Sequence, residues 1–250
     1  MASLEELKIV RLQKLNILKE FGMDPYPTKV SKDFNLCDLS SDFTKIKEEN
    51  DTKEVALVGR IMSLRGQGAI LFASLFDGTG KFQAVFKKDE IEENLFKLFN
   101  NAIDIGDFIQ VSGNLFVTER GQESILVKEW KIVTKSLLPL PSEYYGVEDN
   151  EERFRRRYLD ILLDPSVHQM IEKRSIFWNT MRTYLLDKGF VEVETPVLEN
   201  TTGGAEARPF ITHHNALDID LYLRISLELH LKRLLVGGFE KVFEIGRIFR

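Results

Sequence analysis

Glu228 lies in the run RISLELHLKRLLVGG, where Leu227, Leu231 and Leu234 recur at helical spacing. A carboxylate beside an apolar face is costly to bury unless it meets a cation, so the position suits a receptor for a positive group or an ordinary solvent-facing acid. Upstream, Gly203 and Gly204 would let the main chain approach a ligand with no Cβ in the way, or simply make a turn. Arg250 closes the strand-like FEKVFEIGRIFR, and its planar guanidinium matches phosphate oxygens; the plainer alternative is a basic residue at a strand end. The adjacent His213 and His214 invite a metal, but neighbours on an extended chain point to opposite sides and no third ligand stands at a recognised spacing. No metal site is expected within this chain.

A second group of residues could handle nucleic acid. Alternation along AILFASLFD puts Phe72, Ser74 and Phe76 on one face and Leu71, Ala73 and Leu75 on the other. Both faces are apolar, so Phe72 is either core or a platform on which an unpaired base stacks. Lys81, Lys87 and Lys88 are available to phosphates or merely solvated. The arginines of RFRRRYLD form a basic helix that either binds phosphate or is neutralised by Glu151, Glu152 and Asp160.

The elements that must carry these residues are legible in outline. Residues 1–50 read as an N-terminal helix and loop, with Ser3 and Glu6 forming a capping box and Leu4, Leu7, Val10, Leu15 and Leu18 near helical spacing. Gly22 and the MDPYP turn end that helix. Residues 51–136 then give three strand-like runs (Glu54 to Leu64, Ala69 to Asp77, Lys81 to Lys87), a helical stretch from Asp89 to Ala102, and two more strands (Asp107 to Glu119, Ser124 to Val133). That order is the order of an OB-fold barrel, which often binds single-stranded nucleic acid. Residues 137–147, LLPLPSEYYGV, form a linker whose prolines cannot continue a sheet interior. The boundary of the second domain, 148–250, is expected near Glu148. Inside it Asp164 and Pro165 start a long helix that Gly189 ends, and KGFVEVETPVL follows as a strand carrying Pro196.

Composition narrows the class. The 250 residues are 43% hydrophobic with a net charge of −5, which suits two globular domains and argues against an unselective nucleic-acid binder. A single cysteine, Cys37, excludes a disulfide framework and a multi-cysteine zinc site, as expected of a cytoplasmic chain. No run approaches the roughly 18 apolar residues of a membrane span, and the charged N-terminus lacks a signal-peptide core.

Taken together, KGFVEVETPVLE, GGAEARPFITHHN and LYLRISLELHLKRLLVGGFEKVFEIGRIFR resemble motif 1 and the opening of motif 2 of class II aminoacyl-tRNA synthetases, and in detail the lysyl family. The resemblance implies an α+β chain: an OB-fold that binds the anticodon, then the first part of an antiparallel-sheet catalytic domain. The implied reaction joins lysine to tRNA(Lys) through a lysyl-adenylate, with ATP as substrate and Mg2+ ligands expected beyond residue 250. It also implies roles for single residues. Phe72 would stack on an anticodon base, Arg65 would sit where RNA enters, and Gln83 and Glu129 would hydrogen-bond base edges. Gly204 would contact the amino acid through its backbone, Glu228 would receive the lysine ammonium, Arg250 would hold the α-phosphate, and Pro196 would lie at a homodimer contact. Where the family usually has proline, this chain has Leu227. Motif 3 and the end of motif 2 are missing, so the chain is expected to be part of a longer enzyme and inactive alone. A non-catalytic module that binds tRNA and dimerises, and an aspartyl or asparaginyl relative, are the alternatives.

Overall fold

The computed structural model describes residues 3–141 and 149–250, with only the backbone of Gln67. The chain divides into two compact units, Met1–Leu163 and Asp164–Arg250. The expected boundary near Glu148 and the end of the 137–147 linker lie outside the described residues.

The first unit opens with α1 (Leu4–Glu20), whose capping box forms as expected: Glu6 N donates to Ser3 Oγ at 3.2 Å and Ser3 N to Glu6 Oε2 at 2.7 Å. The stretch after it, expected as loop, contains two short helices, α2 (Leu36–Ser41) and α3 (Phe43–Glu49). The barrel follows: β1 (Val55–Gln67), β2 (Ile70–Phe76), β3 (Lys81–Lys87), α4 (Glu93–Ala102), β4 (Phe108–Val117) and β5 (Glu123–Thr134). The sheet closes in the order β1-β2-β3-β5-β4, with β3 and β5 parallel and the other pairs antiparallel. Closure removes free edges and encloses Leu57, Ile61, Leu75, Ile109, Ile125 and Ile132, all inaccessible to solvent. Helix α4 plugs one end. Its Phe99 stacks on Phe86 at 4.0 Å and meets the edge of Trp130 at 5.2 Å, and Trp130 Nε1 donates to the Leu95 carbonyl at 3.1 Å. At Gly113 the β4–β5 register shifts, and a Cβ there would stand 2.0 Å from the Leu126 carbonyl oxygen, so only glycine fits.

A buried charge cluster, not anticipated from sequence, ties α1 to the end of the barrel. Lys135, fully enclosed, donates to Asp104, Asp107 and the Ala102 carbonyl, each at 2.7 Å, while Lys14 reaches Asp104 at 2.6 Å. Arg11 donates to the carbonyls of Ser136, Leu138 and Ile105. Burial is the largest influence on both carboxyls. It pushes Asp107 up from the usual carboxylate range, whereas at Asp104 the bonds from Lys135 and Lys14 outweigh it and hold the group down.

After α5 (Asn150–Arg155) the chain breaks at Arg156 and resumes as α6 (Arg157–Leu163), instead of forming one helix. Arg153 and Arg157 both grip the buried Asp160, and Arg155 pairs with Glu151, so the basic run is neutralised locally. The second unit begins with α7 (Pro165–Asp187): Asp164 accepts from Ser166 N at 2.9 Å, and Gly189 follows with φ of 79°. Beyond it β6 (Val191–Glu192) pairs with β10 (Val242–Phe243), and β7 (Leu198–Glu199), β8 (Ile211–His214) and β9 (Ile219–Leu223) form an antiparallel sheet in the order β7-β9-β8. The β7–β9–β8 sheet is antiparallel as expected, and the two-residue β6–β10 pair is parallel. Helix α8 (Glu228–Val236) lies between β9 and β10 in sequence. No helix among the described residues is long and apolar enough to cross a membrane.

Lys135→Met should lower the unfolding free energy by about 3–5 kcal/mol, because it leaves Asp107 buried without its cation. Urea titration of the intact protein reads this. Asp104 is held below its unfolded value, so the stability it supplies is present above about pH 4 and lost as pH falls further. Protonation also relieves the stranded Asp107, so the gap between variant and parent should narrow in acid.

Candidate functional site

On the barrel, β1, β2, β3 and the β4–β5 turn surround a cleft of about 900 Å3 lined by Arg65, Phe72, Gln83, Lys87, Phe116 and Arg120 among others. The register explains the grouping. Arg65 on β1 pairs with Phe72 on β2, and Gln83 on β3 lies opposite both Ser74 on β2 and Ser124 on β5. Ala73 and Leu75 point into the core, which turns Phe72 outward, where it is half-buried. Gln83 Nε2 donates to the buried Ser124 Oγ at 2.9 Å, fixing the amide plane. Lys87 Nζ stands 5.9 Å from the Phe116 ring centroid. The cleft therefore combines two aromatic rings, the amides of Gln83 and Gln122, and three cations against the single acid Glu119, the equipment for stacking bases and holding phosphates. Phe116 and Arg120 join it only through barrel closure, whereas Lys87 is brought in by the β2–β3 hairpin, opposite Ile70.

Glu129 is not among the residues that line this cleft. It is exposed and pairs with Ser112 on β4, five residues along β5 from the Ser124 that faces Gln83. At about 3.3 Å per residue, that is roughly 16 Å further along the strand.

In the second unit the buried Arg224, at the end of β9, organises the site. Its Nη1 reaches Glu244 Oε1 at 2.7 Å and both Thr195 O and Thr195 Oγ1 at 2.9 Å, and its Nε donates to the Arg247 carbonyl at 2.9 Å. Thr195 Oγ1 closes the ring by donating to Glu244 Oε2 at 2.6 Å. The Arg224 backbone also bonds to Val197 O and Phe249 N. The side-chain bonds explain why the expected strands from Val191 and from Phe239 enter a ladder only at β6, β7 and β10: the carbonyls of Thr195 and Arg247 accept from the Arg224 guanidinium instead. Pro196 between them is exposed, beside exposed Val197 and Leu198.

The Arg224–Glu228 segment then presents the remaining residues. Arg250 Nε donates to the Ile225 carbonyl at 3.2 Å. Ser226 Oγ accepts from Glu228 N at 3.1 Å, starting α8 without help from the N-cap Leu227, which has no side-chain acceptor. Gly204, with φ of +80°, lies so close that a Cβ would meet Ser226 Oγ at 3.0 Å and Glu228 Cβ at 3.2 Å. One for Gly203 would come within 2.5 Å of Leu229 Cδ1. Glu228 lies on this short stretch, and Gly204 and Arg250 each pack or bond against it. The Glu228 carboxylate is not enclosed: its side chain is 48% exposed and pairs with Lys232 one turn along the helix. It is solvent-facing, because it occupies the first position of α8 beside open space rather than beneath it.

His213 Nδ1 lies 3.0 Å from Asp220 and its Nε2 3.2 Å from Asp218, while His214 Nδ1 accepts from Leu217 N, so both serve the β8–β9 turn. Among the described residues no three His, Cys, Asp or Glu side chains gather closely enough to hold a metal ion. Arg224, Thr195 and Glu244 were not singled out from sequence; a lone arginine closing the apolar LYLR was the available signal.

Comparison with known proteins bears out the fold. A model for OB-fold nucleic acid binding domains matches residues 55–133, and one for class II tRNA synthetases (D, K and N) matches residues 149–250. The chain is 46% identical over 250 residues to a lysine–tRNA ligase of Halalkalibacterium halodurans, covering 99% of this chain and 50% of that protein. It is 47% identical over 247 residues to that of Thermoanaerobacter pseudethanolicus and 43% over 251 to that of Synechococcus sp., with 99% of this chain and 49% and 50% of those proteins covered. The chain spans about half the length of the curated relatives it matches.

Arg224→Met should cost about 3–5 kcal/mol of stability by leaving Glu244 buried and unpaired, whereas Arg224→Met with Glu244→Leu should cost clearly less than the two single losses together. A double-mutant cycle in urea checks this.

Proposed function

Since this chain resembles lysine–tRNA ligases along 99% of its length, as an OB-fold followed by the first part of a class II synthetase domain, we propose that it takes part in ATP-dependent attachment of lysine to tRNA(Lys) in the cytoplasm. The observation that carries this reading is the meeting of Gly204, Glu228 and Arg250 on the Arg224–Glu228 segment. Each has a defined part. The Gly204 backbone borders the amino acid, with no side chain in the way. The Glu228 carboxylate takes the lysine ammonium in a charge-assisted hydrogen bond; an amino acid with a neutral side chain would leave that acceptor unused. Lys232 already offers it an ammonium, but an exposed pair at this helical spacing is worth only about 0.3–0.5 kcal/mol, so a substrate held at several points displaces it readily. Arg250 faces the α-phosphate and stabilises the charge that builds as the lysine carboxylate attacks phosphorus and pyrophosphate leaves. The lysyl group then passes to a ribose hydroxyl of the tRNA. Mg2+ belongs to this family's chemistry, but the described residues offer no set of ligands for it.

The barrel cleft serves the anticodon: Phe72 stacks on a base, Gln83 meets a base edge, and Arg65 holds a phosphate at the entrance. Glu129 would reach RNA only beyond the cleft. Pro196, with the exposed Val197 and Leu198, supports a homodimer contact. The competing reading, a non-catalytic tRNA-binding module, draws on the completeness of the barrel as a unit of its own.

Lysine-dependent exchange of pyrophosphate into ATP by the intact protein tests the proposal; exchange driven by aspartate or asparagine, or none, would reject it. Glu228→Gln should raise the KM for lysine roughly 10- to 150-fold, the equivalent of about 1.5–3 kcal/mol for a hydrogen bond to a charged group, with the KM for ATP little changed. Phe72→Ala should weaken tRNA binding by about 1–3 kcal/mol and leave exchange intact. Loss of both would make Phe72 a core residue.

A further inference from the structure

One buried hydrogen bond between β7 and α8 has no part in the chemistry proposed for the second unit. Glu199, the last residue of β7, is only 9% exposed, and its Oε1 accepts from His230 Nε2 of α8 at 2.7 Å; His230 is itself 14% exposed. The second carboxylate oxygen, Oε2, is buried and has no hydrogen-bond partner among the described residues. An under-satisfied buried carboxylate costs stability that an apolar pair of similar shape would not, so packing alone does not explain an acid and an imidazole here. Their positions in the chain suggest what does. Glu199 leads directly into the loop that carries Gly203 and Gly204, and His230 stands two residues after Glu228, on the first turn of α8. The bond therefore joins the segment that leads into the glycine pair to the helix that begins with Glu228. The same two segments also approach closely at the glycines, where a Cβ on Gly203 would meet Leu229 at 2.5 Å and one on Gly204 would meet Glu228 at 3.2 Å. Clearances this small make the spacing sensitive to shifts of a few tenths of an ångström.

We propose that Glu199 and His230 are positioning residues that set the spacing between the Gly203–Gly204 backbone and Glu228, and so govern the affinity for lysine. This rests on the assignment of Glu228 to the lysine ammonium. Neither residue touches the substrate; the pair acts through the segments it joins. An ionised carboxylate only accepts, so His230 donates from Nε2, and any side chain at 199 that presents an oxygen in the same place should serve.

The test is exchange kinetics on the intact protein, with Glu228→Gln run in parallel. Glu199→Ala and His230→Leu should each raise the KM for lysine about tenfold while kcat and the KM for ATP change less than threefold. The double variant should be no worse than either single one, and Glu199→Gln, whose amide oxygen accepts the same N–H, should restore most of the affinity. An unchanged lysine KM in both broken variants overturns the proposal, as does equal damage to lysine and ATP. Loss of folding in both, seen by circular dichroism, also overturns it, by making the pair a purely structural bond. If Glu228→Gln itself leaves the lysine KM unaltered, the underlying assignment fails; if only Glu199 and His230 prove silent, this inference alone fails.

Discussion

One guanidinium holds the second unit's candidate site together. Arg224 satisfies main-chain carbonyls from the segment after β6 and from the segment after β10, and neutralises Glu244 in the same enclosure. Regular ladders are short there, two residues each in β6, β7 and β10, so hydrogen bonds that a longer sheet would supply come from this side chain. An arginine suits the task because its donors are rigidly arranged and its charge is permanent. A lysine could balance Glu244 but could not address carbonyls on both sides at once. Glu228 and Arg250 inherit their placement from the four residues that follow it or from a bond to them.

The barrel is built differently. Its strands are long, its sheet closes on itself and its interior is almost wholly apolar, so its one charged hub, Lys135 with Asp104 and Asp107, fastens the end of the barrel and does not stand in for a ladder. Polar side chains on its outer cleft are free to face a ligand. The contrast is physical: main-chain groups of the barrel are satisfied mostly by its sheet, those around the second site mostly by a side chain and loops.

This difference decides what could be read from sequence. Strand alternation and the glycine-bearing turns gave all five barrel strands to within a few residues, but with both faces of β2 apolar the outward placement of Phe72 became clear only from the burial of Ala73 and Leu75. Asp164, Pro165 and Gly189 marked the ends of α7 through local chemistry that depends on nothing distant. The reading was weaker wherever a backbone group is satisfied by a side chain far along the chain. KGFVEVETPVL and FEKVFEIGRIFR have strand character throughout, yet Arg224 withdraws their central carbonyls from any ladder, and no local pattern announces that. The same holds for Lys135, whose acidic partners 28 and 31 residues upstream are ordinary loop residues until the barrel closes. Glu228 stood open between an enclosed and a solvent-facing acid because helical spacing specifies a face but not what lies across from it.

The clamp made by Arg11 acts through chain atoms that every amino acid possesses. Its acceptors are the carbonyl oxygens of Ile105, Ser136 and Leu138. Drift in the identity of those three residues leaves the grip untouched, whereas Arg11 itself has no ready substitute. Evolutionary tolerance at the mouth of the barrel should accordingly be lopsided: permissive along the strand ends and strict at a single helical position more than ninety residues away in sequence.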